Sequence, residues 1–259
     1  MKKQILKIVK IGGKLIENEE SLSAFLQDFS QLDGAKILVH GGGKIATELS
    51  DKLGYKTNMI EGRRITDANA MNVITMVYAG LINKKIVAKL QGLKSNAVGL
   101  CGADGKSIVS KKRVVKEIDY GFVGDVEKIN APFISSLLEK DIIPVFSAIS
   151  CSTEGELFNT NADSVAAEIA IAFSENYQTE LFFCFEKNGV LKNPLDDNSV
   201  IELLDTTTYQ NLLDENIISE GMLPKLHNCF YALENSVSEV YLGGANLLQN
   251  GIKHTKIIK

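Results

Sequence analysis

The sequence predicts an α/β fold with a mainly parallel sheet and helices on both faces. Two observations predict it. Apolar runs of strand length alternate with segments of helical periodicity along nearly the whole chain. No repeat, low-complexity segment or Pro- or Ser-rich linker interrupts that alternation. A length of 259 residues suits one large domain or two intimately joined lobes. In such sheets ligands bind beyond the carboxyl ends of the strands, so turns at those ends are the places to search.

The elements follow in order. Residues 5–11 form an apolar strand. Leu22, Phe25, Leu26 and Phe29 then recur at the i, i+3, i+4, i+7 spacing of a helix face. A short strand at 37–39 precedes a helix marked by Ile45, Leu49 and Leu53. Residues 68–91 are helix-compatible, and 97–101 form a strand. The segment 107–126 is rich in β-branched residues, with Gly121 and Gly124 as breakers, and predicts a hairpin. A helix at 131–140 carries Pro132 near its start. A strand at 142–149, a helix at 162–173 and a strand at 181–185 follow, the last ending in a turn at Gly189. A helix at 220–235 and a strand at 239–242 complete the pattern.

Bulk properties exclude several classes. With a net charge of -4 and Lys and Arg thinly spread, the chain lacks the basic stripe of a nucleic-acid binder. Lys84-Lys85 and Lys111-Lys112-Arg113 are too short for one and suit solvated surface. The four cysteines form no CxxC pair, which argues against zinc. Cys101, Cys151 and Cys184 sit in apolar runs as small core residues, which suits a reducing, cytoplasmic setting. No segment approaches the roughly 18 apolar residues of a membrane span. The basic start is followed by an apolar run broken by Lys7, Lys10 and Lys14, unlike a signal peptide.

Two glycine-rich turns carry the chemistry. Lys10-Ile11-Gly12-Gly13-Lys14 closes the first strand, where adjacent glycines let backbone N–H groups approach an anion beside a lysine. By itself it also suits a tight turn at positive φ with a surface lysine. His40-Gly41-Gly42-Gly43 joins a strand to a helix and leaves unpaired amides at a helix start. His40 also suits a satisfied strand-end histidine. Gly105-Lys106-Ser107 ends like a P-loop, but Leu100 stands where its first glycine belongs. Gly41-x-Gly43-x-x-Ala46 does match a relaxed dinucleotide fingerprint, with Glu61 placed for a ribose. A nicotinamide-dependent oxidoreductase is therefore the remote alternative. Asn159-Thr160-Asn161-Ala162-Asp163 opens a helix and suits an N-cap. Lys225 lies at another helix start, against the dipole, which hints at an anionic neighbour.

Together, IVKIGGKL at 8–15, LVHGGGK at 38–44, EGRRIT at 61–66, LFNTNAD at 157–163 and EGMLPK at 220–225 resemble the amino acid kinase family. Within it they are similar to the kinases of acylated glutamate. The resemblance implies a single domain built as an open αβα sandwich of two lobes. Residues 1–178 would bind the acyl amino acid and 179–259 the nucleotide. It implies transfer of phosphate from ATP, with Mg²⁺ riding on the phosphates, to the side-chain carboxylate of N-acetyl-L-glutamate in arginine biosynthesis. N-succinyl-L-glutamate is the alternative acceptor. Lys10 and Lys225 match the transition-state lysines, and Asp163 the acid that positions them. Gly12, Gly13, Gly41 and Gly42 match the phosphoryl-facing amides, Gly41 and Gly42 also facing substrate. Arg64 and Asn159 match the substrate-binding pair.

Two segments depart from the family pattern. Glu186 and Lys187 replace an acid and an apolar residue beside the nucleotide, and His254-Thr255 replaces a Gly-Thr pair. The chain opens directly on its first strand, without the N-terminal helix of hexameric, arginine-inhibited relatives. That predicts a homodimer without arginine feedback, with no nucleic-acid or membrane partner.

Overall fold

The computed structural model describes residues 3–60, 62–193, 195–215, 217–218 and 222–259. Strand β1 (Ile5–Ile11) turns through Gly12 into the five-residue helix α1 (Gly13–Glu17) and then α2 (Glu19–Gln31). Asn18 caps α2 by accepting from the Ser21 amide at 2.8 Å, and Leu22, Phe25, Leu26 and Phe29 are its buried face. Lys36 closes the other end, donating to the Ser30 and Leu32 carbonyls. Burial first, and the Lys7 charge second, push its pKa down.

The middle of the chain continues with β2 (Ala35–His40) and α3 (Gly43–Lys52), then the hairpin β3 (Met59–Ile60) and β4 (Arg63–Arg64). The predicted helix over 68–91 is present in three parts. Helix α4 (Ala68–Ile74) passes into a π-helical stretch (Thr75–Ile82) and then α5 (Asn83–Gly92). Strands β5 (Ala97–Leu100), β6 (Ile108–Lys112) and β7 (Gly124–Ile129), helix α6 (Ala131–Leu138) and strand β8 (Ile143–Ser147) follow. The run 142–149 is not one strand. It breaks at Ala148, whose amide donates to the His40 carbonyl at 3.0 Å, and resumes as β9 (Ile149–Cys151), paired antiparallel with β10 (Leu157–Asn159).

Helix α7 (Ala162–Phe173), strand β11 (Gln178–Cys184), strand β12 (Leu203–Leu204) and helix α8 (Thr206–Asp214) come next. The predicted helix at 220–235 is observed as α9 (Leu223–Glu234). Its expected start at Glu220, and Gly221, lie outside the described residues, as does Glu61. Strands β13 (Glu239–Gly243) and β14 (Thr255–Ile257) end the chain. Helix α8, nine residues long, has no counterpart among the expected elements; other additions, such as β12 and β14, are short strands that depend on partners elsewhere in the chain.

Two compact units result, Met1–Ile37 with Ala166–Lys259, and Leu38–Val165. In the first, strands lie in the order β12-β14-β13-β11-β1, with β11 parallel to both β1 and β13 and β14 antiparallel to β13. In the second, β2, β8 and β5 form a parallel set and β10-β9-β6-β7 a smaller sheet. This division differs from a boundary at 178. The reason is that β1 pairs along its whole length with β11, from Ile5 beside Gln178 to Ile11 beside Cys184. The first strand therefore groups with the C-terminal part of the chain. Of the three cysteines read as core, Cys151 and Cys184 are buried and Cys101 is partly exposed.

Candidate active site

In the first unit the carboxyl ends of β1 and β11 bring together residues from opposite ends of the chain. Lys10 sits beside Phe183 in the parallel register, so both side chains leave the same face of the sheet. Lys225, in the first turn of α9, holds its ammonium 5.9 Å from the Phe183 ring and 5.6 Å from the Phe185 ring. Cation–π attraction of this kind helps hold a lysine in place. Lys10 and Lys225 thus both neighbour Phe183, one by strand register and one across its ring. The Cys184 thiol between these strands is pushed up to about 12 by burial, against the opposing influence of Lys10. It stays protonated and serves as core.

Gly12 and Gly13 are not glycines for the sake of a positive φ. Gly12 has φ -83 and ψ 168, and its amide donates to the Cys184 carbonyl at 2.9 Å. A Cβ there would stand 3.3 Å from that carbonyl oxygen. At Gly13 a Cβ would meet little besides the Glu17 carboxylate at 3.5 Å. Neither backbone nor packing demands glycine at 13, and what its absent side chain leaves is room beside Lys10 and α1.

Beyond Cys184 the departing segment 185–189 folds onto its neighbours. Gly189 has φ +151, and a Cβ there would lie 2.6 Å from Thr255 Oγ1. Thr255 Oγ1 accepts from the Val190 amide at 2.8 Å. Lys187 pairs with Asp197 at 2.8 Å across exposed surface. His254 bonds the Ile252 carbonyl at 2.8 Å and packs edge-on against Tyr241, as a partly buried structural residue.

The second unit holds the other glycine turn. Gly42 has φ +154, a conformation L residues rarely adopt, and a Cβ would stand 2.2 Å from Ile82 Cδ1. Ile82 and Tyr78 come from the π-helical stretch, whose wider turn presses both side chains against the loop. At Gly41 and Gly43 a Cβ would make only ordinary contacts, at 3.8 Å and 3.7 Å. The one glycine demanded by the backbone is therefore the position a dinucleotide fingerprint leaves open.

Arg64 is buried and turned onto the same helix. Its Nη2 donates to the Gly43 carbonyl at 2.8 Å and Thr47 Oγ1 at 2.7 Å, and its Nη1 to Thr57 Oγ1 at 3.1 Å. A guanidinium at the start of α3 opposes the helix dipole, as Lys225 does at α9, and both placements favour an anion nearby. A two-pronged grip on a carboxylate requires Arg64 to exchange at least one of these bonds for the ligand.

Asn159 donates from its side chain to Thr66 Oγ1 at 3.1 Å and from its backbone to the Phe122 carbonyl. Thr66 in turn bonds the Tyr120 carbonyl through its amide at 2.9 Å. Gly121 is held by that crossing, since a Cβ would lie 2.2 Å from the Thr66 carbonyl oxygen. Beside it opens a cleft of about 580 Å³ lined by Arg63, Arg113, Lys116, Tyr120 and Asp125 among others. The N-cap expected of the 159–163 segment is Asn161, which accepts from the Asp163 and Ser164 amides at 2.8 Å and 3.1 Å. Asp163 stands in the first turn of α7.

Sequence patterns missed Tyr78, Ile82 and Asn83, which shape the glycine turn. Tyr78 and Ile82 lie in an unbroken apolar stretch with no helical face to single them out, and Asn83 follows it as one polar residue at the start of α5. Unlike the glycines, they carry no local signal.

The amino acid kinase family model matches residues 6–244. An acetylglutamate kinase of Phocaeicola vulgatus is 47% identical over 249 residues, covering 96% of this chain and 97% of that protein. One of Cytophaga hutchinsonii is 47% identical over 98% of this chain and 97% of its own length. Among solved structures, that of smu.665 from Streptococcus mutans superposes with a TM-score of 0.79 at 26% identity, covering 97% of this chain and 98% of the other.

Proposed function

We propose, from the premise that this chain belongs to the amino acid kinase family, that it uses ATP to phosphorylate the side-chain carboxylate of N-acetyl-L-glutamate. The product is N-acetyl-L-glutamyl 5-phosphate, an early intermediate of arginine biosynthesis. A carboxylate oxygen forms a bond to the γ-phosphorus as the bond to the β-bridging oxygen breaks, and ADP leaves with that electron pair. No general base is required, because the carboxylate is ionised at neutral pH. The task is to bring two anions together, which makes positioning and charge stabilisation the whole of catalysis.

The observation that carries this reading is that Lys10 lies in register with Phe183, whose ring the Lys225 ammonium faces, beside the Gly12–Gly13 turn. These lysines stabilise the transferring phosphoryl group, and the amides of Gly12, Gly13, Gly41 and Gly42 supply the remaining donors. Arg64 and Asn159 hold the acyl amino acid, and Asp163 keeps its role as the orienting acid. In this reading the unit Leu38–Val165 serves the acyl amino acid and the other unit serves the nucleotide. Magnesium enters with the nucleotide as MgATP. Among the described residues no three His, Cys, Asp or Glu side chains gather as a resident metal would need.

One observation favours N-succinyl-L-glutamate as the alternative acceptor. The cleft lined by Tyr120 carries Arg63 and Lys116 beside the Arg113–Asp125 ion pair and Glu117, and the first two suit a further carboxylate. We place the enzyme in the cytoplasm as a homodimer. The half-exposed Met76 and Leu81 of the π-helical stretch offer an apolar face to a second copy.

Incubation with MgATP and glutamate, N-acetylglutamate or N-succinylglutamate, with hydroxylamine to trap acyl phosphate, tests the reading. The acylated substrates should yield hydroxamate and glutamate little. No hydroxamate from any of the three would overturn the kinase assignment, and the ratio of the two acylated rates identifies the acyl group.

A further inference from the structure

We propose that His40 is a positioning residue, which sets the direction of the Gly41–Gly42 peptide so that the Gly42 N–H faces the reacting phosphoryl and carboxylate groups. The proposal rests on the kinase reading and deepens it.

Three consecutive glycines have no conformational preference of their own. A peptide flanked by glycines turns over at little cost, and a turned peptide presents a carbonyl where an anion needs a donor. Something outside the turn must select one orientation. His40, the last residue of β2, is fully buried beside it.

The hydrogen bonds define the histidine's tautomer. Asn83, also fully buried, has its Nδ2 at 2.9 Å from the Val145 carbonyl and 3.0 Å from His40 Nε2. An amide nitrogen only donates, so Nε2 is the acceptor. Asn83 Oδ1 accepts from Lys84 Nζ at 3.2 Å, which agrees with that amide orientation. The ring proton therefore sits on Nδ1, which donates to the Gly41 carbonyl at 2.9 Å. Burial, with Lys84 adding to it, holds the ring pKa down at about 4, so this tautomer persists at neutral pH.

In a trans peptide the C=O and the following N–H point in opposite directions. With the Gly41 carbonyl held toward the ring, the Gly42 N–H is directed away from it. The fold makes room for the lock. Gly99 has no side chain, and a Cβ there would lie 1.8 Å from Asn83 Oδ1. The chain Val145–Asn83–His40–Gly41 thus runs from a strand carbonyl to one amide of the anion turn.

Two variants and one spectroscopic signal test this. His40→Leu keeps the volume and removes the donor. His40→Asn places an amide donor near the Nδ1 position. With wild type active in the hydroxamate assay, His40→Leu should lose about tenfold to a hundredfold in kcat per folded enzyme, with KM for ATP little changed. His40→Asn should recover most of that loss. The wild-type Gly42 amide resonance should shift on adding MgADP, aluminium fluoride and N-acetylglutamate, and His40→Leu should lose the shift. Unchanged kcat in His40→Leu, or a loss that His40→Asn does not rescue, would overturn the proposal. If neither variant folds, the wild-type Gly42 shift decides, its absence counting against the proposal. An inactive wild type would instead refute the kinase reading itself.

Discussion

Single side chains carry the charge logic of this protein. Lys10 is placed by strand register and Lys225 by the aromatic rings it faces, and in the kinase reading each removes a large part of the barrier. Lys10→Ala and Lys225→Ala should each lower kcat by a factor on the order of 10²–10³, as losses of oxyanion-type donors do. Hydroxamate formation at saturating substrates measures this, and near-normal turnover in either variant would refute the roles. His40 imposes a pH dependence on stability. Its pKa of about 4 when folded lies below the ordinary 6.5, so between these values the unfolded chain binds the extra proton. Stability is complete above pH 6.5 and falls as pH drops toward 4, by an amount on the order of 3 kcal/mol. Urea midpoints at pH 7 and pH 4.5 should therefore converge in His40→Asn relative to wild type. An equal acid loss in both would exclude His40 as its source. Both lysines, the glycines and Arg64 were legible in the sequence because each is a chemical type in an informative place. The bonding of Arg64 to Gly43 and Thr47 was not, since it depends on where α3 meets β4.

Elements explain why the glycine turns differ. The turn at Gly12–Gly13 has ordinary backbone angles at Gly12, is close to the Cys184 carbonyl there, and is open at Gly13. The turn at 41–43 is compressed by the π-helical stretch, through Ile82 and Tyr78 on Gly42. Gly42→Ala should cost about 2 kcal/mol or more, from both overpacking and an unfavourable φ. Adding Ile82→Ala should return only the steric part, because the φ of +154 remains. Chemical denaturation of the single and double variants checks this, and full recovery would mean that φ contributes nothing. Periodicity located the long helix over 68–91 but not its π-helical middle. An eight-residue segment, TMVYAGLI, is apolar on nearly every side, so no hydrophobic face distinguishes a π turn from an α turn.

At the scale of the whole molecule, the first strand belongs with the last third of the chain. Residues 1–37 share a unit with 166–259 because β1 lies against β11. In the kinase reading, that arrangement lets Lys10 and Lys225 act at one place. The exposed apolar residues Met76 and Leu81 belong to this scale too. In the homodimer reading, Met76→Asp with Leu81→Asp should convert a dimer to a monomer in light scattering. A monomeric wild type, or a dimer unaffected by both changes, would remove that reading.

The sequence by itself determined the α/β class, the order of most of its long elements, the two glycine turns and the family whose motifs it carries. These depend on local periodicity, on glycine beside lysine, and on spacing along the chain. Tertiary structure alone decided which unit the first strand joins, which glycine is indispensable, and which nitrogen of His40 bears the proton. Each of those depends on atoms far apart in sequence: Cys184 against Gly12, Ile82 against Gly42, Asn83 against His40. Such contacts follow from strand register and close packing, which a one-dimensional pattern does not contain.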